Sequence, residues 1–420
     1  MGRPLKIGLY SPFFGSTYGG GEKYLGVTAE ALRDAYPEAD VEILSPVRPD
    51  LERYQQMLGL DLTGVGVRAG NPRPGRLKRV LAGMPSLRLY RNLVVSAQAA
   101  GLTAEYDLFL SMVYVLPAAT RARGSVILCQ FPYDVRQAMS KPGVPRLAWA
   151  LYTLPYRLLQ RRLLGGEVDD FQLVICQAEY VRGWVRRLWG RDSVVVNPPI
   201  DVPESKPDWS AKERVVLSVG RFFTGGHSKR QDLMAQAFRE LCDGGNEGWH
   251  LHLVGSLNRE HAADVEYFHR VRRLAEGYPI WIHPDAPGET VLDLYRRASI
   301  YWHAAGYGVD AELRPAELEH FGMTTAEAMG YGAVPVAIGR GGQVEVVEDG
   351  VSGYLWRDLD ELKARTMGLM GDPPLRRRLG EEARRASERF DRASFKRKMV
   401  DAVAPLVKEL GAEQTSSIPP

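Results

Sequence analysis

Residues 319–345 read EHFGMTTAEAMGYGAVPVAIGRGGQVE, and the order of signals within them decides the fold. Glu319 and Glu327 stand with seven residues between them, the second on a short helical pattern that begins near Phe321-Gly322. Gly332 marks a turn, Ala333–Ile338 is a β-rich apolar run, and Gly339 to Gly342 supply a glycine loop. Helix, turn, strand and glycine loop in that order shape a crevice at the carboxyl ends of the strands of an α/β protein.

The same alternation extends upstream. Strands are expected at Val215–Val219, His250–Val254, Ile280–His283 and Ser299–His303, with helices at Lys229–Leu241, His261–Ala275 and Thr290–Ala298 between them. Before them, Asn197-Pro198-Pro199-Ile200-Asp201-Val202-Pro203 breaks the pattern, because proline removes a donor and pushes the preceding residue out of helix. A first half opens with strand Leu5–Tyr10, the loop SPFFGSTYGGG and helix Glu22–Tyr36. Strand candidates follow at Val41–Leu44, Tyr106–Met112, Ser125–Cys129 and Phe171–Cys176, with helical patterns around Leu77–Ala100 and Leu147–Leu164. Strands alternating with helices predict parallel sheets covered on both faces. The chain therefore reads as a Rossmann-like domain 1–197, a linker 198–203, a second Rossmann-like domain 204–390, a C-terminal helix 391–410 and a disordered tail 411–420.

Composition excludes several classes. A length of 420 residues exceeds what one core usually supports, and a net charge of +3 is too small to imply a nucleic-acid partner. Cys129, Cys176 and Cys242 are far apart and odd in number, which suggests buried thiols in a reducing compartment. With neither a signal-peptide core nor an apolar run long enough to span a bilayer, the expected location is cytoplasmic.

Several motifs carry chemistry. Gly19-Gly20-Gly21 lies between a strand and a helix, where it is either an anion-binding loop or a flexible turn; it is neither a Walker loop nor GxGxxG. Gly64 to Gly70 reads as a loop. Asp358-Leu-Asp360 and Asp169-Asp170 read as helix caps rather than metal ligands, and no metal is expected. Arg221 and Lys229 flank the first crossover of the second half, where two cations meet phosphates or are simply solvated. Amides of Gly322 to Thr324 at a helix start could hold a phosphate while Glu319 and Glu327 accept hydrogen bonds from hydroxyls, and a sugar nucleotide supplies both.

Together, Gly19–Glu22, Gly220-Arg221 with Lys229, the EX7E pair Glu319–Glu327 and the GAVPVA…GG…E segment resemble family-4 retaining glycosyltransferases, group 1, of the GT-B fold. The resemblance implies two doubly wound Rossmann-like domains facing a central cleft. It implies that Arg221 and Lys229 bind the donor diphosphate and stabilise the leaving group. Glu319 would contact the donor sugar and Glu327 the ribose, beside Phe321 and the amides of Gly322, Met323 and Thr324, with Gly20 and Gly21 lining the cleft from the other domain. Two departures stand out. The loop Phe222–Ser228 is longer than the family's, leaving Arg230 as a rival to Lys229, and Gln130 stands where many members have a histidine. Glutamine hydrogen-bonds a sugar hydroxyl but takes no proton.

The implied activity is a metal-independent, retaining transfer of a hexose from a UDP- or GDP-sugar, a co-substrate rather than a cofactor, to a glycan, lipid-linked or small-molecule acceptor. A sugar-nucleotide epimerase, a phosphorylase and a non-catalytic sugar-nucleotide-binding partner of a membrane transferase are the alternatives. The stretch 136–162 mixes basic and aromatic residues, which suits either peripheral contact with the inner membrane face or an ordinary packed helix.

Overall fold

The computed structural model describes residues 3–69, 103–113, 120–132, 146–164 and 168–416. The chain divides into two compact units, Met1–Asn197 with Phe395–Pro420, and Pro198–Ser394.

The first unit holds β1 (Lys6–Tyr10), β2 (Asp40–Ser45), β3 (Gly66–Ala69), β4 (Leu108–Val113), β5 (Gly124–Cys129), β6 (Leu173–Cys176) and β7 (Val194–Val195). Their order is β3-β2-β1-β4-β5-β6-β7, and neighbouring strands run parallel. Ile7 pairs in register with Val41 on one side and Leu108 on the other, and all three are buried. Parallel strands need cover on both faces, which is why KIGLY, LFLSMV and GSVILC are nearly continuous apolar runs. Helix Gly20–Ala35 supplies cover through Leu25, Ala29 and Leu32.

The last helix, Arg392–Ser416, belongs to this unit beyond its first turn. Phe395, Met399, Val403 and Leu410 fall on one face and join the core around Tyr24 and Leu25. The Phe395 ring meets Tyr24 edge-on at 4.9 Å, and Lys396 pairs with Glu30 at 3.0 Å and Asp34 at 2.9 Å.

Some expectations change. The helix continues to Ser416, so residues 411–416 of the expected disordered tail are helical: Gly411 does not take the left-handed conformation that ends helices, and Ala412, Glu413 and Gln414 are good helix formers. Residues 66–69 of the glycine stretch form an edge strand on β2, entered through Gly64 at φ 78°. Helices Leu51–Leu58 and Glu179–Trp189 and strand β7 add to the expected elements. Asp169 and Asp170 cap no helix; they sit in a turn before β6, with Asp169 3.7 Å from Arg191. The Leu77–Ala100 pattern lies outside the described residues.

The second unit repeats the winding. β8 (Val215–Val219), β9 (His250–Gly255), β10 (Ile280–Pro284), β11 (Ile300–His303), β12 (Val334–Ile338) and β13 (Tyr354–Trp356) lie in the order β10-β9-β8-β11-β12-β13. Phe238, Leu253, Trp302, Val336 and Trp356 form its core. Asp358 caps helix Leu359–Gly371 by accepting from the Glu361 amide at 2.9 Å.

Phe395→Ala removes an aromatic ring from a closed core, so the first unit should lose about 3–5 kcal/mol in denaturant unfolding. Unfolding indistinguishable from wild type would show that the helix only rests on the surface.

Candidate functional site

β8 and β11 are neighbours at the point where the strand order of the second unit reverses, and there the loops at the carboxyl ends separate and leave a crevice. At the end of β8 the chain is crowded. A Cβ on Gly220 would lie 2.4 Å from Cγ of Lys229, and one on Gly255 would lie 2.0 Å from the Gly220 carbonyl oxygen. The Lys229 stem therefore crosses a position only glycine can hold. Gln231 fixes this turn, its Nε2 donating to the carbonyls of Gly220 at 2.9 Å and Arg221 at 3.1 Å, while the Tyr267 hydroxyl donates to Gln231 Oε1 at 2.9 Å.

Lys229 ends in an ion pair with Glu319. His303, the last residue of β11, donates from Nε2 to the same carboxylate oxygen, Oε2, at 3.0 Å. Burial alone would push the Glu319 carboxyl up, but the Lys229 ammonium and the His303 hydrogen bond outweigh it and hold the group well below the usual carboxylate range. Arg230, the rival cation, faces elsewhere, bonded to the Tyr307 carbonyl at 3.1 Å and to Asp232 at 3.2 Å. Arg221 is exposed, its guanidinium 5.2 Å from the centre of the Phe223 ring.

The helix Met323–Gly330 begins at Gly322, whose φ is 107°. A Cβ at Gly322 would lie 1.9 Å from Gln343 Nε2. The loop after β12 presses on the same backbone: Cβ atoms on Gly341 and Gly342 would meet the carbonyl oxygens of Glu319 at 2.3 Å and His320 at 2.2 Å, and the Gly342 amide donates to Glu319 O at 2.8 Å. The first helical bonds run from Thr325 and Ala326 to the Gly322 carbonyl, so the amides of Gly322, Met323 and Thr324 stay outside the ladder at the positive end of the helix. Gln343 is fully buried beneath them, and neither of its amide atoms has a partner among the described residues.

The Thr324 hydroxyl accepts from Tyr301 at 2.7 Å, and Glu327 accepts from Tyr295 at 3.3 Å. Phe321 puts its ring into the core, edge-on to Phe390 at 5.0 Å, so only its backbone can serve a ligand. The second unit thus pairs Lys229 with Glu319 just before the helix that starts with the amides of Gly322, Met323 and Thr324 and carries Glu327, while Arg221 is exposed just after β8.

Gly20, Gly21 and Gln130 belong to the first unit. Gly20 and Gly21 start the helix after β1, where the Gly19 amide donates to buried Glu22 at 2.9 Å, so the glycine loop is tied rather than slack. Gln130 follows β5, its carbonyl accepting from Gln177 Nε2 at 3.0 Å. Sequence reading passed over His303, Gln231, Tyr301 and Gln343, although the polar end of the run IYWH and the Gln after the double glycine were visible signals.

Residues 201–386 match the family model described as Glycosyl transferases group 1. A stretch of 109 residues, 23% of this chain, is 30% identical to the glycogen synthase of Chlorobium phaeovibrioides (strain DSM 265 / 1930) and spans about a fifth, 20%, of that protein. Among solved structures, Anabaena Alr3699/HepE in complex with UDP-glucose aligns at TM-score 0.64 and 17% identity, over 96% of this chain and 100% of that one. The sucrose-phosphate synthase (tll1590) of Thermosynechococcus elongatus aligns at TM-score 0.66 and 16% identity, over 96% and 100%. At such identities the likeness establishes the fold, which is GT-B.

Replacing Lys229 by methionine strands the Glu319 charge, and at about pH 7 the second unit should lose about 2 kcal/mol, less than a fully buried pair would. Because Glu319 titrates below its unfolded value of 4.5 in the native state, the stabilisation exists above that pH and disappears as pH falls through the native value. The gap between variant and wild type in urea unfolding should therefore close in acid. A gap that persists or widens there would contradict the pairing.

Proposed function

We propose that this chain, whose residues 201–386 match the family model described as Glycosyl transferases group 1, moves a hexose from a nucleoside diphosphate sugar to an acceptor hydroxyl, with retention and without a metal. The observation that carries this reading is the Lys229–Glu319–His303 cluster beside the amides of Gly322 to Thr324, which have no hydrogen-bond acceptor among the described residues. Cations and helix-start amides suit a diphosphate, while a carboxylate held ionised can only accept hydrogen bonds, which suits sugar hydroxyls.

In this reading Arg221, Lys229 and the three amides hold the diphosphate, Glu319 accepts from the hexose and Glu327 from the ribose. As the bond from the sugar C1 to the phosphate oxygen breaks, its electron pair stays on that oxygen, and Arg221 and Lys229 stabilise the charge. The acceptor attacks from the same face, and the departing phosphate oxygen takes its proton. Gln130 can bond a hydroxyl but cannot act as the base.

A panel of UDP-, GDP- and dTDP-sugars in thermal unfolding tests this. One donor should stabilise the chain, by about 2.7 kcal/mol at a hundredfold excess over Kd, and Arg221→Ala should lower transfer by about 10²–10³-fold. Stabilisation by none of the panel, or unchanged transfer by the variant, would refute the assignment.

The helix Arg146–Leu164 favours a membrane-borne acceptor. Leu147, Leu151, Leu154 and Leu158 fall on one stripe and are 74%, 62%, 47% and 60% exposed. From Val135 to Gly166 the sequence contains no Asp or Glu, whereas Arg136, Lys141, Arg146, Arg157, Arg161 and Arg162 are basic. Residues 136–145 of this stretch lie outside the described residues. No helix among the described residues is long and apolar enough to cross a membrane; a basic helix with a leucine stripe suits peripheral contact with an anionic lipid surface. Vesicles containing phosphatidylglycerol should sediment the wild type and leave a Leu151→Glu, Leu154→Glu double variant in solution; equal partition of both would rule the stripe out.

A further inference from the structure

The loop Phe222–Ser228, between β8 and the helix that starts at Gln231, is firmly built. The Thr224 amide and hydroxyl both donate to Asp264 Oδ1, each at 3.1 Å. Gly225 turns under the Phe223 ring, which a Cβ there would meet at 2.4 Å. Next comes His227 at φ 68°, a left-handed conformation unfavourable for a residue with a side chain. Contacts hold it there. Its Nδ1 lies 2.9 Å from the Leu318 carbonyl, and its ring stands edge-on to His320 at 4.5 Å, whose own Nε2 is 3.2 Å from the Ala316 carbonyl.

A carbonyl only accepts, so His227 must carry its proton on Nδ1, and Nε2 is left as a bare acceptor with no partner among the described residues. The ring is near enough to Glu319, Lys229 and Arg221 to feel all three charges, and burial lowers its affinity for a second proton. A neutral imidazole with an open lone pair has nothing to offer a phosphate oxygen, which is itself an acceptor. It fits a hydroxyl.

We propose that His227 accepts a hydrogen bond from a hydroxyl of the donor sugar, and so selects the hexose this site takes. The inference rests on the donor reading given above and adds a residue outside the EX7E and Gly-Arg/Lys motifs. The long loop exists, on this view, to carry one acceptor to the rim of the Glu319 site.

Calorimetric titration of the full chain with UDP and UDP-glucose, with GDP and GDP-mannose, and with dTDP and dTDP-glucose tests it. For the pair that the wild type binds, His227→Ala should weaken the sugar nucleotide about five- to tenfold, the worth of one hydrogen bond, and the bare nucleotide by less than about twofold. His227→Gln, whose amide oxygen can accept, should recover most of the loss. His227→Asn tolerates the left-handed backbone but falls short of the ring's reach, so it reports the same loss even where alanine disturbs the loop. Equal weakening of nucleotide and sugar nucleotide, or no weakening, in a wild type that binds would overturn this inference and leave the donor reading intact. A wild type that binds none of the three pairs would overturn the donor reading and the inference with it.

Discussion

A carboxylate taken out of water stays ionised only if its surroundings replace the lost hydration, and Glu319 is where this chain meets that requirement. Lys229 from the loop after β8 and His303 from the end of β11 reach one oxygen of Glu319, while the Gly342 amide binds its backbone carbonyl. Three strand ends are thereby tied to one residue. The positions of Gly220, Gly322, Gly341 and Gly342 follow, because each lies where a Cβ would strike the backbone or side chain that makes the arrangement. The glycines are consequences of close approach around a charge rather than a flexible loop.

Much of this was legible in the sequence for a simple reason. Buried parallel strands are continuous apolar runs, so β1, β4, β5, β8, β9, β11 and β12 announce themselves, and the strand order then places a crevice at the β8/β11 junction. β3 escaped because it is a short edge strand entered by glycine, and β7 because two residues make no pattern. Glu319 and Glu327 were singled out by their fixed local spacing, and Gly220 and Lys229 by their places after the first strand and before the next helix of the second half. His227 and His303 were not, because their meaning comes from partners far along the chain: His227 meets Leu318 across 91 positions.

Phe321 shows how little a motif says about a side chain. Its place beside Gly322 suggested a ligand contact, yet an aromatic ring next to a tight backbone turn is worth more as packing, and it lies against Phe390. Motif proximity locates a backbone, and only the fold decides which way each side chain goes.

The return of the final helix has a consequence for how the molecule is made. The core of the first unit includes Phe395, Met399, Val403 and Leu410, which leave the ribosome only after the whole second unit. Domains generally mature in the order of synthesis. Here the nascent N-terminal unit must wait with an open apolar seam beside Tyr24 and Leu25, so the later-made half can close first, and the earlier-made half depends on the turns from Phe395 to Leu410 to seal it.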